Sequence, residues 1–268
     1  MNYFSEIKSQ DCSIKIGGRT KIGKNVVLGP SCKNINIGYG CYLGNDIYID
    51  VEVLHIKDYT SIHHGSIIHG IKTFIGFNCW IGHYTIIDSL GGQTELGNNV
   101  GVGAHSQLWS HMKFGDVLAG CRWHSTGRLK LDDDVWLVGR SIVGPIHAES
   151  KSMLMTGGVA VKNMKSNHIY AGNPARDMTD KFGTQFELVE LNDKFKKFDL
   201  IKKDFYSIYH IDISQFECVE EFYSTSDKTL FNLNTREYKP RYTQDEYLFM
   251  KYMLYDKAKF VPFIVDNL

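Results

Sequence analysis

Six side chains able to do chemistry, His111, Asp116, Arg122, Trp123, His124 and Arg128, fall in one stretch between Leu108 and Leu131. Histidine ordinarily titrates near neutrality, so His111 and His124 are the candidates for proton transfer at cellular pH. Trp109 and Trp123 add flat faces on which a ligand could stack. The stretch also interrupts a strict six-residue rhythm that runs before it and resumes after it. A rigid repeat that breaks its own rule once, with a histidine at the break, reads as a framework holding an active-site loop.

The rhythm is aliphatic. Its anchors are Ile16, Ile22, Leu28; Ile37, Leu43, Ile49; Ile56, Ile62, Ile68; Ile75, Ile81, Ile87; Leu96, Val102, Leu108; and Leu131, Leu137, Val143. Glycine recurs one position after the anchor, as at Gly17, Gly23, Gly38, Gly82 and Gly103, which suggests a tight corner that favours a residue without Cβ. Two positions before the anchor stand small or β-branched residues such as Thr20, Val26, Cys41 and Thr85, which suit short strands. The anchors come in threes, and every insert falls between triplets, at one corner of a three-sided coil. Four inserts are short; the fifth is the 109–130 loop. Stacked coils of this kind bury one aliphatic column, as in a parallel β-helix.

This Ile-Gly-x-x-x-x pattern, from about Ile14 to Arg176, resembles the left-handed parallel β-helix of the hexapeptide-repeat acyltransferases. Asp134-Val135-Trp136-Leu137-Val138-Gly139 resembles the family's coil after its catalytic loop, and Ala171-Gly172-Asn173-Pro174-Ala175-Arg176 resembles its closing motif. Left-handedness comes from the resemblance alone, since crossover connections ordinarily favour the right hand. The fold expected is therefore mainly β: a left-handed parallel β-helix over 1–178 with a long catalytic loop, and a small C-terminal α/β appendage over 179–268.

The resemblance implies an acetyltransferase of the sugar- and antibiotic-acetylating kind, using acetyl-CoA as co-substrate and no metal. His111 stands where the family's catalytic histidine emerges, and would take the acceptor's proton during direct transfer; His124 is the fallback. The pantetheine arm would run along a groove between two subunits, past Trp136, Gly139, Gly157, Gly158 and Ala160, with Lys162 and Arg176 near the phosphates. That groove implies a homotrimer. The acceptor expected is a hydroxyl, or an amine, of a sugar or polysaccharide precursor, with Trp109 and Trp123 placed to stack on a sugar face.

Coil arithmetic adds two inferences. Asp50, His69, Asp88 and Trp109 follow the third anchors and form one column, with coils ~4.8 Å apart. Asp88 then lies one coil below the root of the loop carrying His111, where it either orients His111, binds the acceptor, or merely caps the corner as Asp50 would. His64 and His83 stack in a second column, as a surface ladder or with His83 facing a neighbouring subunit's acceptor pocket.

The pattern also has departures. Continuing from Val143 would put Glu149 on the apolar column, so Pro145–Ser152 is expected to deviate. Beyond Arg176, Asp193–Phe205 has helical spacing with lysines opposite its apolar face, and Thr243-Gln-Asp-Glu246 is a capping-box signature before a second helix, Tyr247–Leu254. Phe216–Tyr223 and Thr229–Tyr238 read as strands. The lysine-rich face is either a solvated surface or a contact for a partner or anionic acceptor.

Composition limits the alternatives. Lys+Arg and Asp+Glu both number 30 in 268 residues, which argues against a nucleic-acid binder. No apolar run would span a bilayer and the start has no secretory signal pattern. Cys12, Cys32, Cys41, Cys79, Cys121 and Cys218 include no C-x-x-C pair, so a reduced, cytoplasmic chain is expected. Two other readings stay open. A metal hydratase resembling the γ-class carbonic anhydrases would use His69 and His105, but its third histidine position is Ser110. A non-catalytic scaffold would use the appendage as its interaction module.

Overall fold

A computed structural model of the chain describes residues 3–223 and 226–263. It divides into two compact units, Met1–Phe186 and Glu187–Leu268. The boundary lies beyond the expected 178/179 because the chain after the last coil stays tied to it. Ile169–Gly172 and Ala175–Asp177 form an antiparallel pair, a short helix α1 (Thr179–Phe182) follows, and the Phe186 N–H donates to Asn167 Oδ1 at 2.8 Å.

The first unit is a parallel β-solenoid of about nine turns, consistent with the left-handed β-helix expected. One wall is a nine-stranded sheet. The other two walls join into a thirteen-stranded sheet, because Tyr48–Ile56 and Ile67–Ile75 run round the third corner without a break. Sixteen of the eighteen anchors are buried, and Ile16 and Ile22, near the open end, are partly buried against them. The columns are in register across coils: Ile49, Ile68 and Ile87 pair in one wall, Ile62, Ile81 and Val102 in another. The Thr60 hydroxyl, inward and fully buried, donates to the Gly76 carbonyl at 2.7 Å.

Two details differ from the sequence reading. The left-handed backbone residue of each tight corner lies three positions after the anchor, at Asn25, Asp46, Tyr84, His105 and Arg140, with φ between 54° and 61°. The glycine one position after the anchor serves another purpose: a Cβ on Gly103 would stand 2.2 Å from the Gly139 nitrogen of the next coil. Those glycines allow coils to stack, rather than the corner to turn. The left-handed residue recurs at only two corners, and the inserts occupy the third.

The second difference is a slip of one residue after Val143. Leu131 pairs with Ala148, Leu137 with Leu154 and Val143 with Ala160. Ala148 is therefore the buried anchor, while Glu149 lies outside and accepts from the Ser166 N–H at 3.0 Å. The local deviation at Pro145–Ser152 removes the charge from the column, as the cost of burying it requires.

The second unit packs helices α2 (Leu191–Tyr209) and α3 (Gln244–Leu254) with a four-stranded sheet of Phe216–Val219, Thr229–Asn232, Glu237–Lys239 and Val261–Pro262. Thr229–Tyr238 is a hairpin rather than one strand. Thr243 caps α3, its hydroxyl accepting from the Glu246 N–H at 3.2 Å. The core is aromatic: Phe216 stacks on Phe249 at 4.3 Å, and Phe198, Phe205, Phe231 and Phe260 surround them. Among the described residues no helix is long and apolar enough to cross a membrane.

Candidate active site

The long insert leaves the coil as a hairpin, His111–Lys113 paired antiparallel with His124–Thr126. Its base is fastened from both sides: the Gly127 N–H donates to the Ser110 carbonyl at 3.0 Å, and the Gly91 N–H to the Ser110 hydroxyl at 2.8 Å. His111 is thus held at the root, where the backbone is fixed by the coil, and not at the tip.

Below it lies Asp88, fully buried. Its Oδ1 accepts from the Ser110 hydroxyl at 2.6 Å and the Ser110 N–H at 3.0 Å, and lies 2.8 Å from His111 Nδ1. Its Oδ2 accepts from the Leu90 N–H at 3.0 Å. Burial pushes the Asp88 carboxyl up, but these donors outweigh it and hold the group below the usual carboxylate range. Asp88 is therefore ionised at neutral pH. An ionised carboxylate can only accept, so Nδ1 of a neutral His111 carries the proton. Nε2 is left with a free lone pair. A buried anion that fixes the tautomer and would stabilise the imidazolium is the arrangement a general base needs.

Asp50 occupies the same column one turn earlier than His69 and does something else. Its Oδ1 accepts from the Ser31 N–H at 2.8 Å, capping the preceding coil. Asp88 instead reaches forward to the coil that bears the loop. The loop root packs closely on the preceding coil: a Cβ on Gly91 would stand 2.4 Å from the Ser110 carbonyl oxygen and 2.6 Å from His111 Cβ.

Other loop residues separate into two groups. Trp109 stands beside the pair, its ring edge-on to His111 at 6.0 Å and to His69 at 6.3 Å, with its indole N–H donated to Gln107 Oε1 at 3.0 Å. Trp123 and His124 lie out on the hairpin, and Trp123 is 86% exposed.

Solved structures that the chain matches include acyltransferases. They include the polySia-specific acetyltransferase NeuO, with a TM-score of 0.49 and 16% identity over 78% of this chain and 98% of that one. A hexapeptide-repeat-containing acetyltransferase from Vibrio cholerae O1 biovar eltor, complexed with acetyl coenzyme A, gives 0.33 and 16% over 66% and 70%. A mutant of AntD, an N-acyltransferase from Bacillus cereus, in complex with dTDP and coenzyme A, gives 0.37 and 17% over 72% and 93%. No family model and no curated protein matches the chain.

The residues expected to hold a donor stand on other parts of the solenoid. Gly139 follows Leu137 at the second corner, and the Gly157 N–H donates to the Gly139 carbonyl at 3.1 Å. Gly157 has φ +70° and open space where a Cβ would be. Trp136, 46% exposed, lies over Gly101 of the preceding coil on the wall that leads into this corner. Lys162 and Arg176 are exposed nearby in sequence, and Gly158 packs on Leu154. Ala160 differs from the rest, being an inward anchor 2% exposed, so only its backbone could meet a ligand. His83 is at this same second corner, stacked on His64 at 5.2 Å and near His63 at 4.8 Å. Burial, with His83 and His64 beside it, pushes His63 down to about 4.

One chain thus carries the His111 root at the third corner and the glycine-lined edge at the second. Ser110 and His69 were not among the residues singled out for acyl transfer. Ser110 supplies two of the donors on Asp88, and His69 Nδ1 lies 3.7 Å from Asp88 Oδ2. The sequence signal for Ser110 was its place between Trp109 and His111 at the loop root. Of the residues in the metal reading, His69 faces Asp88, His105 stacks on Tyr84 at another corner of the same chain, and the Ser110 hydroxyl donates to Asp88.

Proposed function

We propose that the chain is an acyl-CoA-dependent acyltransferase that acetylates a hydroxyl or amine of a sugar or polysaccharide precursor, with His111 as general base and Asp88 orienting it. The observation that carries this reading is the contact between His111 Nδ1 and the buried, multiply donated Asp88 carboxylate, which leaves Nε2 as the accepting nitrogen. In the proposed step Nε2 takes the acceptor's proton as its oxygen or nitrogen bonds to the thioester carbonyl carbon. The C–S bond breaks, the acetyl group stays on the acceptor, and the proton leaves with the thiol of CoA. Trp109, edge-on to the His111 ring at 6.0 Å, and the exposed Trp123 would offer faces to the acceptor.

The donor reading rests on the resemblance of the Trp136 and Asn173-Pro174 motifs and on the open Gly139–Gly157 edge. The third and second corners of one chain are separated by a full wall. A homotrimer, in which the second-corner edge of one copy meets the loop of another, would complete the site. Titration with acetyl-CoA by calorimetry tests this. Micromolar binding to both the native protein and His111→Ala is expected, with CoA release in the presence of sugars and amino sugars only for the native protein. Absence of binding to either would overturn the reading.

A further inference from the structure

Two clefts flank helix α2 in the second unit, and they differ in charge. The larger, about 620 Å³, has Lys196, Lys202 and Lys228 on its walls, each paired with a carboxylate: Asp193 at 3.2 Å, Asp199 at 3.8 Å and Glu217 at 3.1 Å. It is a neutralised surface. Among the described residues, the smaller, about 250 Å³, is lined by six apolar residues and four cations, with no carboxylate, hydroxyl or amide side chain.

The floor of the smaller cleft is Phe198, Leu233 and Phe260, all 3% exposed or less. Its cations come from three separate elements. Lys194 and Lys197 project from α2, Arg236 from the hairpin turn before Glu237–Lys239, and Lys257 from the turn after α3. Arg236 is held on the wall, over the Phe260 ring at 5.1 Å and bonded to the Lys259 carbonyl at 2.5 Å. Lys257 pairs with Asp256 at 3.0 Å. Among the described residues, Lys194 and Lys197 form no ion pair, although Asp193 and Asp199 flank them in sequence and pair with other lysines. Composition does not account for this convergence, because residues 187–268 hold fifteen Asp and Glu against twelve Lys and Arg.

We propose that this cleft is a binding site for an anion carried on a hydrocarbon body, a carboxylate or phosphate with a medium-length alkyl chain. Lys194 and Lys197, which form no ion pair among the described residues, give the cleft a positive potential that an anionic head group relieves. An apolar floor without neutral donors or acceptors suits hydrocarbon and leaves a hydroxyl-rich sugar unsatisfied. At roughly 30 Å³ per small group, the cleft takes about eight of them. The site lies wholly within the second unit and does not depend on the acyl-transfer reading.

Calorimetry on the full chain tests it with octyl phosphate and octanoate, both below micelle-forming concentration, against inorganic phosphate. Either alkyl anion is expected to bind at least tenfold more tightly than inorganic phosphate; which one binds better distinguishes a phosphate from a carboxylate ligand. The Lys194→Glu/Lys197→Glu double variant should lose at least tenfold in affinity, and Lys196→Glu/Lys228→Glu, on the neutralised cleft, should lose less than twofold. Unchanged thermal unfolding in both variants shows that they are folded. Equal affinity for octyl phosphate and inorganic phosphate, or equal loss in the two double variants, would overturn the proposal.

Discussion

Asp88 and His111, 23 residues apart in sequence, meet at 2.8 Å through the buried Oδ1 of one and Nδ1 of the other. The coil register brings them together: Asp88 follows the anchor Ile87, whose register partner Leu108 leads directly into Trp109, Ser110 and His111. The loop can vary beyond this point without moving the dyad, because its root is bonded to the solenoid at Ser110 and Gly127.

Replacing the carboxylate should cost activity more than affinity. An Asp88→Asn side chain no longer dictates that Nδ1 holds the proton, and supplies no negative charge to an imidazolium. A fall in kcat of about 10²–10⁴-fold is expected, with acetyl-CoA affinity unchanged by calorimetry. Unchanged kcat and KM would remove Asp88 from the mechanism.

Ser110→Ala removes a hydroxyl that both donates to Asp88 and accepts from the Gly91 N–H. A loss of about 1–3 kcal/mol in denaturant unfolding is expected. The folded-state pKa of Asp88 lies below its ordinary value, so its contribution is present above the ordinary carboxylate range and is lost as pH falls through the lowered pKa. With the serine donor gone that pKa moves back up, and acid unfolding should begin at a higher pH than in the native protein. Superimposable acid-unfolding curves would contradict this.

His63 gives a second pH dependence of the same sign, carried by a neutral deprotonated form where that of Asp88 is charged. Burial and two neighbouring imidazoles lower it from 6.5 to about 4 in the folded chain, so the unfolded chain binds more protons between those values. Its neutral form supports the fold fully above 6.5, and that support declines as pH falls toward about 4. The melting temperature should therefore drop between pH 7.5 and 4.5 by several degrees more in the native protein than in His63→Phe, at about 2–4 °C per kcal/mol for a chain of this size. An identical drop in both would rule out His63 as the source.

The one-residue slip after Val143 has a sharp mutational signature. Glu149→Ala should change stability by no more than about 0.5 kcal/mol, as expected of an outward residue. Ala148→Glu buries an unpaired carboxylate on the column and should abolish cooperative unfolding or lower it by more than about 3 kcal/mol. The reverse ranking, read by thermal unfolding, would restore the unslipped phase.

What the sequence made legible follows from periodicity. Anchors such as Ile62, Ile81 and Val102 could be assigned because a solenoid repeats one local environment, so each coil reports on the next. The same arithmetic set Asp88 beneath the loop root. It could not say which way Asp88 points, since Asp50 in the same column bonds backward and Asp88 forward. Ser110 was hidden because its contacts with Asp88, Gly91 and Gly127 form where the loop leaves the repeat. The glycine column was visible but its reason was not: inter-coil contact at Gly103 is a three-dimensional constraint, and the left-handed corner residues are chemically mixed. The cleft of the second unit draws on α2, a hairpin turn and the turn after α3, which no local pattern connects.

The most direct test is to determine which ring nitrogen of His111 carries the proton. Long-range proton–nitrogen correlation NMR on the native protein near pH 8, with His111→Ala to assign the resonance, reads this without any acceptor. A protonated Nδ1 and a bare Nε2 are expected, with the preference weakened or lost in Asp88→Asn. A proton resident on Nε2 in the native protein would show that Asp88 does not leave His111 free to act as the base.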